Sequence, residues 1–128
     1  MASGCDHVAI AAEDPRALAR WYCDALGLRV LFDNGQEPPT CLVGGDSGGM
    51  IEIMPHRGQP RSQREFYAPG ISHVALTVGD FEAASARLRE MGVTLADPVP
   101  AAGGGRIANF ADPEGNAIQI IARTREIL

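Results

Sequence analysis

The chain has 128 residues, 45% of them hydrophobic, with a net charge of −5. That length fits one ordinary domain or two small modules sharing a core, and the acidic balance excludes the basic footprint of a nucleic-acid binder. No apolar run approaches the roughly 18 residues of a membrane span and no secretory leader is legible. Three cysteines without paired or metal-type spacing then suggest reduced thiols in a cytoplasmic protein.

From Cys5 to Ala11, Val8 and Ile10 alternate with small or polar residues, the period of a two-faced strand. Asp14-Pro15 reads as an N-cap followed by proline at the first helical position. Leu18, Trp21, Tyr22, Ala25 and Leu26 then recur at helical spacing, and Gly27 suits a left-handed stop, so a helix is predicted over about 15–26. Strands are predicted over 28–32, 40–43 and 50–54. Between the last two, Gly44-Gly45-Asp46-Ser47-Gly48-Gly49 is a tight turn; a phosphate loop would lead into a helix rather than a strand. Residues 55–70, with three prolines and little periodicity, form a joint that could link two modules or cover a site.

The pattern then returns. Residues 72–78 read as a strand, Asp80 as a helix cap, and Ala84, Leu88 and Met91 as a helix stripe stopped by Gly92. Strands are predicted over 93–95, 106–110 and 116–122. Asp112-Pro113-Glu114-Gly115 has the composition of a type I turn. The stretches Asp6–Asp14 and Ser72–Asp80 lie 66 residues apart, each with a histidine early in the strand and an aspartate cap at its end. Such self-similarity marks a duplicated module. Each half reads β-α-β-β-β, over about 5–54 and 71–122 of one 128-residue domain.

Strand alternation singles out four positions. His7 shares a face with Ala9, and His73 with Ala75 and Thr77; Glu52 and Gln119 each interrupt an isoleucine pair 67 residues apart. A glutamate buried among such neighbours would be costly without a partner. Two imidazoles, a carboxylate and an amide oxygen form a good donor set for a divalent cation.

Over roughly residues 5–122 the chain resembles the vicinal oxygen chelate superfamily, the group of glyoxalases, bleomycin-resistance proteins and extradiol dioxygenases. The matching features are His7, the helix-end stretch from Trp21 to Leu28, Glu52 within Ile51-Glu52-Ile53, His73, and the run from Phe110 to Gln119. The resemblance implies an α+β fold of two βαβββ modules forming a cupped eight-stranded mixed sheet. It implies a metal at His7, Glu52, His73 and Gln119, and a homodimer. The cofactor expected is one divalent ion: nickel, zinc, cobalt, manganese or iron.

The family's shared chemistry, capture of two vicinal substrate oxygens by the metal, makes a glyoxalase-like lyase or isomerase the first expectation, with a small-molecule substrate and Glu52 as proton-transfer base. Two departures narrow it. Gln119 stands where the family most often has glutamate, which counts against an extradiol dioxygenase. Ala11 and His56 replace an arginine and an asparagine usual in glyoxalase I, so glutathione is not the expected substrate. An extradiol-type dioxygenase or a methylmalonyl-CoA-epimerase-like enzyme, and a non-enzymatic drug- or metabolite-binding protein of the bleomycin-resistance type, are the alternatives. Arg106, His56 and Tyr67 are weaker candidates for substrate contact, and Cys5 shares the strand face of His7.

Overall fold

The computed structural model describes residues 1–128, which divide into two compact units, Met1–Arg61 and Ser62–Leu128. The division falls inside the expected joint.

In the first unit, strand β1 (His7–Ala12) leads into helix α1 (Pro15–Leu26), followed by β2 (Arg29–Asp33), β3 (Cys41–Gly44) and β4 (Met50–Pro55). Asp14 caps the helix by accepting from Ala17 N, and Gly27, at φ 67°, ends it with its N–H on the Cys23 carbonyl. The sheet order is β1-β4-β3-β2, with β1 and β4 parallel and the other pairs antiparallel. One face is apolar: Ile10, Ala12, Cys41, Val43, Ile51 and Ile53 are buried, as are Leu18, Ala19, Tyr22 and Ala25 of α1, which lies across β3 and β4. Burial pushes the Cys41 thiol above its ordinary pKa, as expected of an unreactive core cysteine.

The second unit repeats the plan with β5 (Val74–Thr77), α2 (Phe81–Glu90), β6 (Val99–Pro100), β7 (Arg106–Ala111) and β8 (Ala117–Ala122), in sheet order β5-β8-β7-β6. Phe81 and Leu88 of α2 are buried, as are Ala108, Phe110, Ile118 and Ile120 of the sheet. Eight strands are thus present, as two four-stranded mixed sheets. The turn at 112–115 forms as predicted, with Gly115 N donating to Asp112 O at 2.9 Å.

Two expectations need correction. No strand forms over 93–95; the second strand position of this unit is taken by Val99–Pro100. Val93 N is still committed to Leu88 O and Gly92 N to Arg89 O, with Gly92 at φ 82°. This is a Schellman closure, so the chain is leaving the helix where a strand was predicted. Pro98 and Pro100, which lack N–H donors, then keep the pairing short. The strand predicted from residue 72 begins at Val74, leaving Ser72 and His73 just ahead of it.

Candidate functional site

The parallel register of β1 and β4 sets His7 beside Met50 and Ala9 beside Glu52, and β3 sets Leu42 on the other side of Glu52. Paired residues project to one face. His7, Ala9, Glu52 and Leu42 therefore lie on the side turned away from the buried isoleucines. His7 Nε2 is 3.9 Å from Glu52 Oε2. That is too long for a hydrogen bond but shorter than two metal–ligand bonds of about 2.0–2.2 Å each laid end to end. Side-chain rotation that brings the two atoms slightly closer would place both on one cation, with neither strand displaced. Their apolar neighbours predict a buried glutamate, yet the Glu52 side chain keeps 28% of its exposure and that of His7 38%. Open on this face, Glu52 retains solvent and does not need a partner to justify its charge.

The second nitrogen of His7 is occupied. Nδ1 lies 2.7 Å from Asp6 Oδ1, which favours a proton on Nδ1 and leaves the Nε2 lone pair for a ligand. This hydrogen bond, partly opposed by desolvation and reinforced by the charge of Glu52, raises the imidazole pKa above 6.5. The imidazolium is the form favoured by folding, so its stabilising effect is present below the unfolded imidazole pKa and is lost as pH rises through the raised value. An Asp6→Asn variant of the metal-free chain is expected to titrate His7 at lower pH, toward the ordinary value. Histidine proton shifts followed through a pH series check this, and an unmoved midpoint would contradict the role of Asp6.

The second unit carries the matching row. Ala75 pairs with Gln119 and Gln119 with Asn109, as Ala9 pairs with Glu52 and Glu52 with Leu42. His73 sits two residues ahead of Ala75, the place His7 holds ahead of Ala9. Its Nδ1 is 2.9 Å from Ser72 Oγ, so both histidines have Nδ1 engaged by the residue preceding them. Gln119 is 5% exposed.

Asn109 was not legible as a site residue. Its Oδ1 is buried without a hydrogen-bond partner, beside Gln119. The 67-residue offset that relates Glu52 to Gln119 carries Leu42 onto Asn109, so an amide stands where the first half has an apolar side chain. A buried unsatisfied acceptor costs about 1–3 kcal/mol. Asn109→Leu, restoring the residue of the first half, is expected to stabilise the chain by about 1 kcal/mol in urea denaturation; a loss of stability would show that the amide is satisfied.

The remaining candidates are placed as follows. Arg106 pairs with Glu82 at 2.7 Å and lies 4.3 Å above the Phe81 ring, on the strand face opposite Asn109 and Gln119. His56 follows β4 and accepts at Nδ1 from Gly58 N at 3.2 Å. Tyr67 is exposed on the segment after the joint's midpoint, its ring edge-on to Phe66. Cys5 is exposed, its thiol 3.7 Å from the His7 carbonyl. His7 and Glu52 are brought together, while no group of three or more His, Cys, Asp or Glu side chains is arranged to hold a metal ion. The four expected ligand positions fall into two repeat-related pairs, His7 with Glu52 in the first unit and His73 with Gln119 in the second.

A family model described as the glyoxalase/bleomycin resistance protein/dioxygenase superfamily matches residues 4–120. Among solved structures, the oxidase ChaP-H2 is 30% identical, with a TM-score of 0.73 over 96% of this chain and 95% of that one. TnmS3, an antibiotic binding protein from Streptomyces sp. CB03234, is 22% identical, with a TM-score of 0.72 over 96% and 98%. A glyoxylase/bleomycin resistance protein/dioxygenase domain from Frankia sp. EAN1pec is 20% identical, with a TM-score of 0.77 over 96% and 99%. The last two likenesses show the fold alone. Comparison with curated proteins finds no match.

Proposed function

Because the chain belongs to the glyoxalase/bleomycin resistance protein/dioxygenase superfamily, we propose that it is a divalent-metal-dependent lyase or isomerase of the glyoxalase type. Its substrate in this reading is a small molecule with two neighbouring oxygens. The observation that carries the reading is the His7–Glu52 pair, 3.9 Å apart on an open sheet face, with the far nitrogen of His7 held by Asp6. The proposed donors are Nε2 of His7 and His73 and the side-chain oxygens of Glu52 and Gln119. Two nitrogens and two oxygens suit nickel, zinc, cobalt, manganese or iron. A cation bound there supplies Lewis-acid polarisation of a carbonyl group.

The other steps belong to the chain. His7 and His73 are each oriented through Nδ1, and the Asp6 carboxylate favours the His7 tautomer that leaves Nε2 free to bind. Glu52, accessible on this face, takes a proton from the carbon next to the carbonyl and returns it to the neighbouring position. Gln119 cannot share that work because an amide does not titrate usefully, so the acid–base role falls on the first unit alone. The protein is a homodimer in this reading. The 30% identity with a structure named an oxidase, over nearly the whole of both chains, supports an enzyme over a sequestering protein.

The test is proton exchange in heavy water. Zinc- or nickel-loaded protein is incubated with 2-oxoaldehydes, acyl-CoA epimers and α-hydroxyketones, and deuterium incorporation beside the carbonyl is followed by NMR. Protein-dependent incorporation abolished by a chelator supports the reading. Absence of exchange, with oxygen consumption on catechols instead, would replace it with ring-cleaving chemistry.

A further inference from the structure

The segment that joins the modules places an aromatic ring against His73. Within the second unit, residues 64–70 close on themselves. Ala68 N donates to Glu65 O at 3.0 Å, and the Arg64 guanidinium donates to the carbonyls of Ala68 and Pro69 at 3.3 and 3.1 Å. Gly70, at φ 127°, lets the loop pass the guanidinium so closely that a Cβ there would meet Arg64 Nη2 at 2.5 Å. The closed loop lays the Phe66 ring flat against the His73 imidazole, with centroids 5.0 Å apart and planes 1° from parallel. Tyr67 backs Phe66 edge-on at 5.0 Å.

A hydrogen bond at Nδ1 sets which way an imidazole is flipped but leaves its tilt loose. His7 has a charged partner in Asp6, whereas His73 has only the neutral hydroxyl of Ser72 at the same position. The stacked ring supplies the missing constraint, fixing the plane of His73 and closing one of its faces. A cation on Nε2 draws electron density out of the imidazole, and an electron-poor ring is held more firmly over the negative face of a benzene ring.

Resting on the metal-centre reading above, we propose that Phe66 is a positioning residue. It orients His73 so that Nε2 is presented to a divalent cation, and it couples the 64–70 loop to occupancy of that site.

The test compares wild type with Phe66→Leu, which keeps bulk without an aromatic face, and Phe66→Trp, which enlarges that face. Zinc affinity is measured by calorimetry against a competing chelator, and tryptic cleavage at Arg64 with and without zinc. Phe66→Leu is expected to weaken zinc binding about 10-fold, the lower range for loss of an outer-shell partner, and Phe66→Trp to restore it. Zinc is expected to slow cleavage at Arg64 in wild type and in Phe66→Trp but not in Phe66→Leu. Equal zinc affinity and equal cleavage in wild type and Phe66→Leu would overturn the proposal.

If wild type takes up no zinc, the metal-centre reading fails instead, and the ring protons of His73 decide the positioning role. Upfield shifts in wild type that vanish in Phe66→Leu would keep that role. Identical shifts in the two would remove it.

Discussion

Exchanging Glu52 for glutamine is expected to leave the cation bound while slowing proton exchange at the substrate carbon by about 10²–10⁴-fold, the usual contribution of a positioned general base. The second unit already offers the comparison: Gln119 holds the repeat-equivalent place with an amide oxygen, a neutral donor of the same reach. Glu52→Gln thus keeps an oxygen toward His7 Nε2 and removes the titrating carboxylate. The His7–Glu52 separation of 3.9 Å shows no direct hydrogen bond whose loss would by itself disturb the histidine. Exchange rates compared at saturating metal separate the two effects. An unchanged rate would take Glu52 out of the chemistry.

Gly105→Ala is expected to be among the most damaging single substitutions for folding. Gly105 has φ 101°, and a Cβ there would stand 2.0 Å from Ala122 O and 2.8 Å from Arg123 Cα. Both are backbone atoms that cannot swing aside, and Ala122 pairs with Arg106 at the start of β7. The methyl would force β7 and β8 apart at the end of the sheet that carries Asn109 and Gln119. Backbone strain of about 1–3 kcal/mol adds to overpacking of about 1–3 kcal/mol. Gly27→Ala is the control: its φ is 67° but nothing lies within 4 Å of its Cβ position, so it bears the conformational cost alone, about 1–2 kcal/mol. Urea denaturation of both variants checks the difference, and equal losses would contradict the close approach at Gly105.

The elements that were legible carry their signals locally. Asp14 and Asp80 cap helices as their sequence context predicts, accepting from Ala17 N and Ala83 N. Alternation in β1 and β4 correctly separates His7 and Glu52 from the isoleucines that face the core. What failed depends on hydrogen-bond choices or rotamers. Val93 looks like a strand residue, yet its N–H is spent on closing α2. Asp6 and Ser72 read as strand-edge polar residues, and nothing in their spacing shows that each turns back onto the next imidazole. Phe66 lies in a segment without periodicity, so its stack on His73 follows from a loop closed by Arg64. Asn109 could have been found only by carrying the repeat offset beyond the proposed ligands to Leu42.

The central claim, a divalent cation held by the repeat-related donors, is met most directly by the metal content of protein purified without added metal or chelator. A variant with both His7→Ala and His73→Ala is prepared alongside. The account predicts about one transition-metal ion per chain in the wild type, bound through imidazole and oxygen donors, and none in the variant. A wild type that contains no metal and takes none up on titration with nickel, zinc, cobalt, manganese or iron would contradict it.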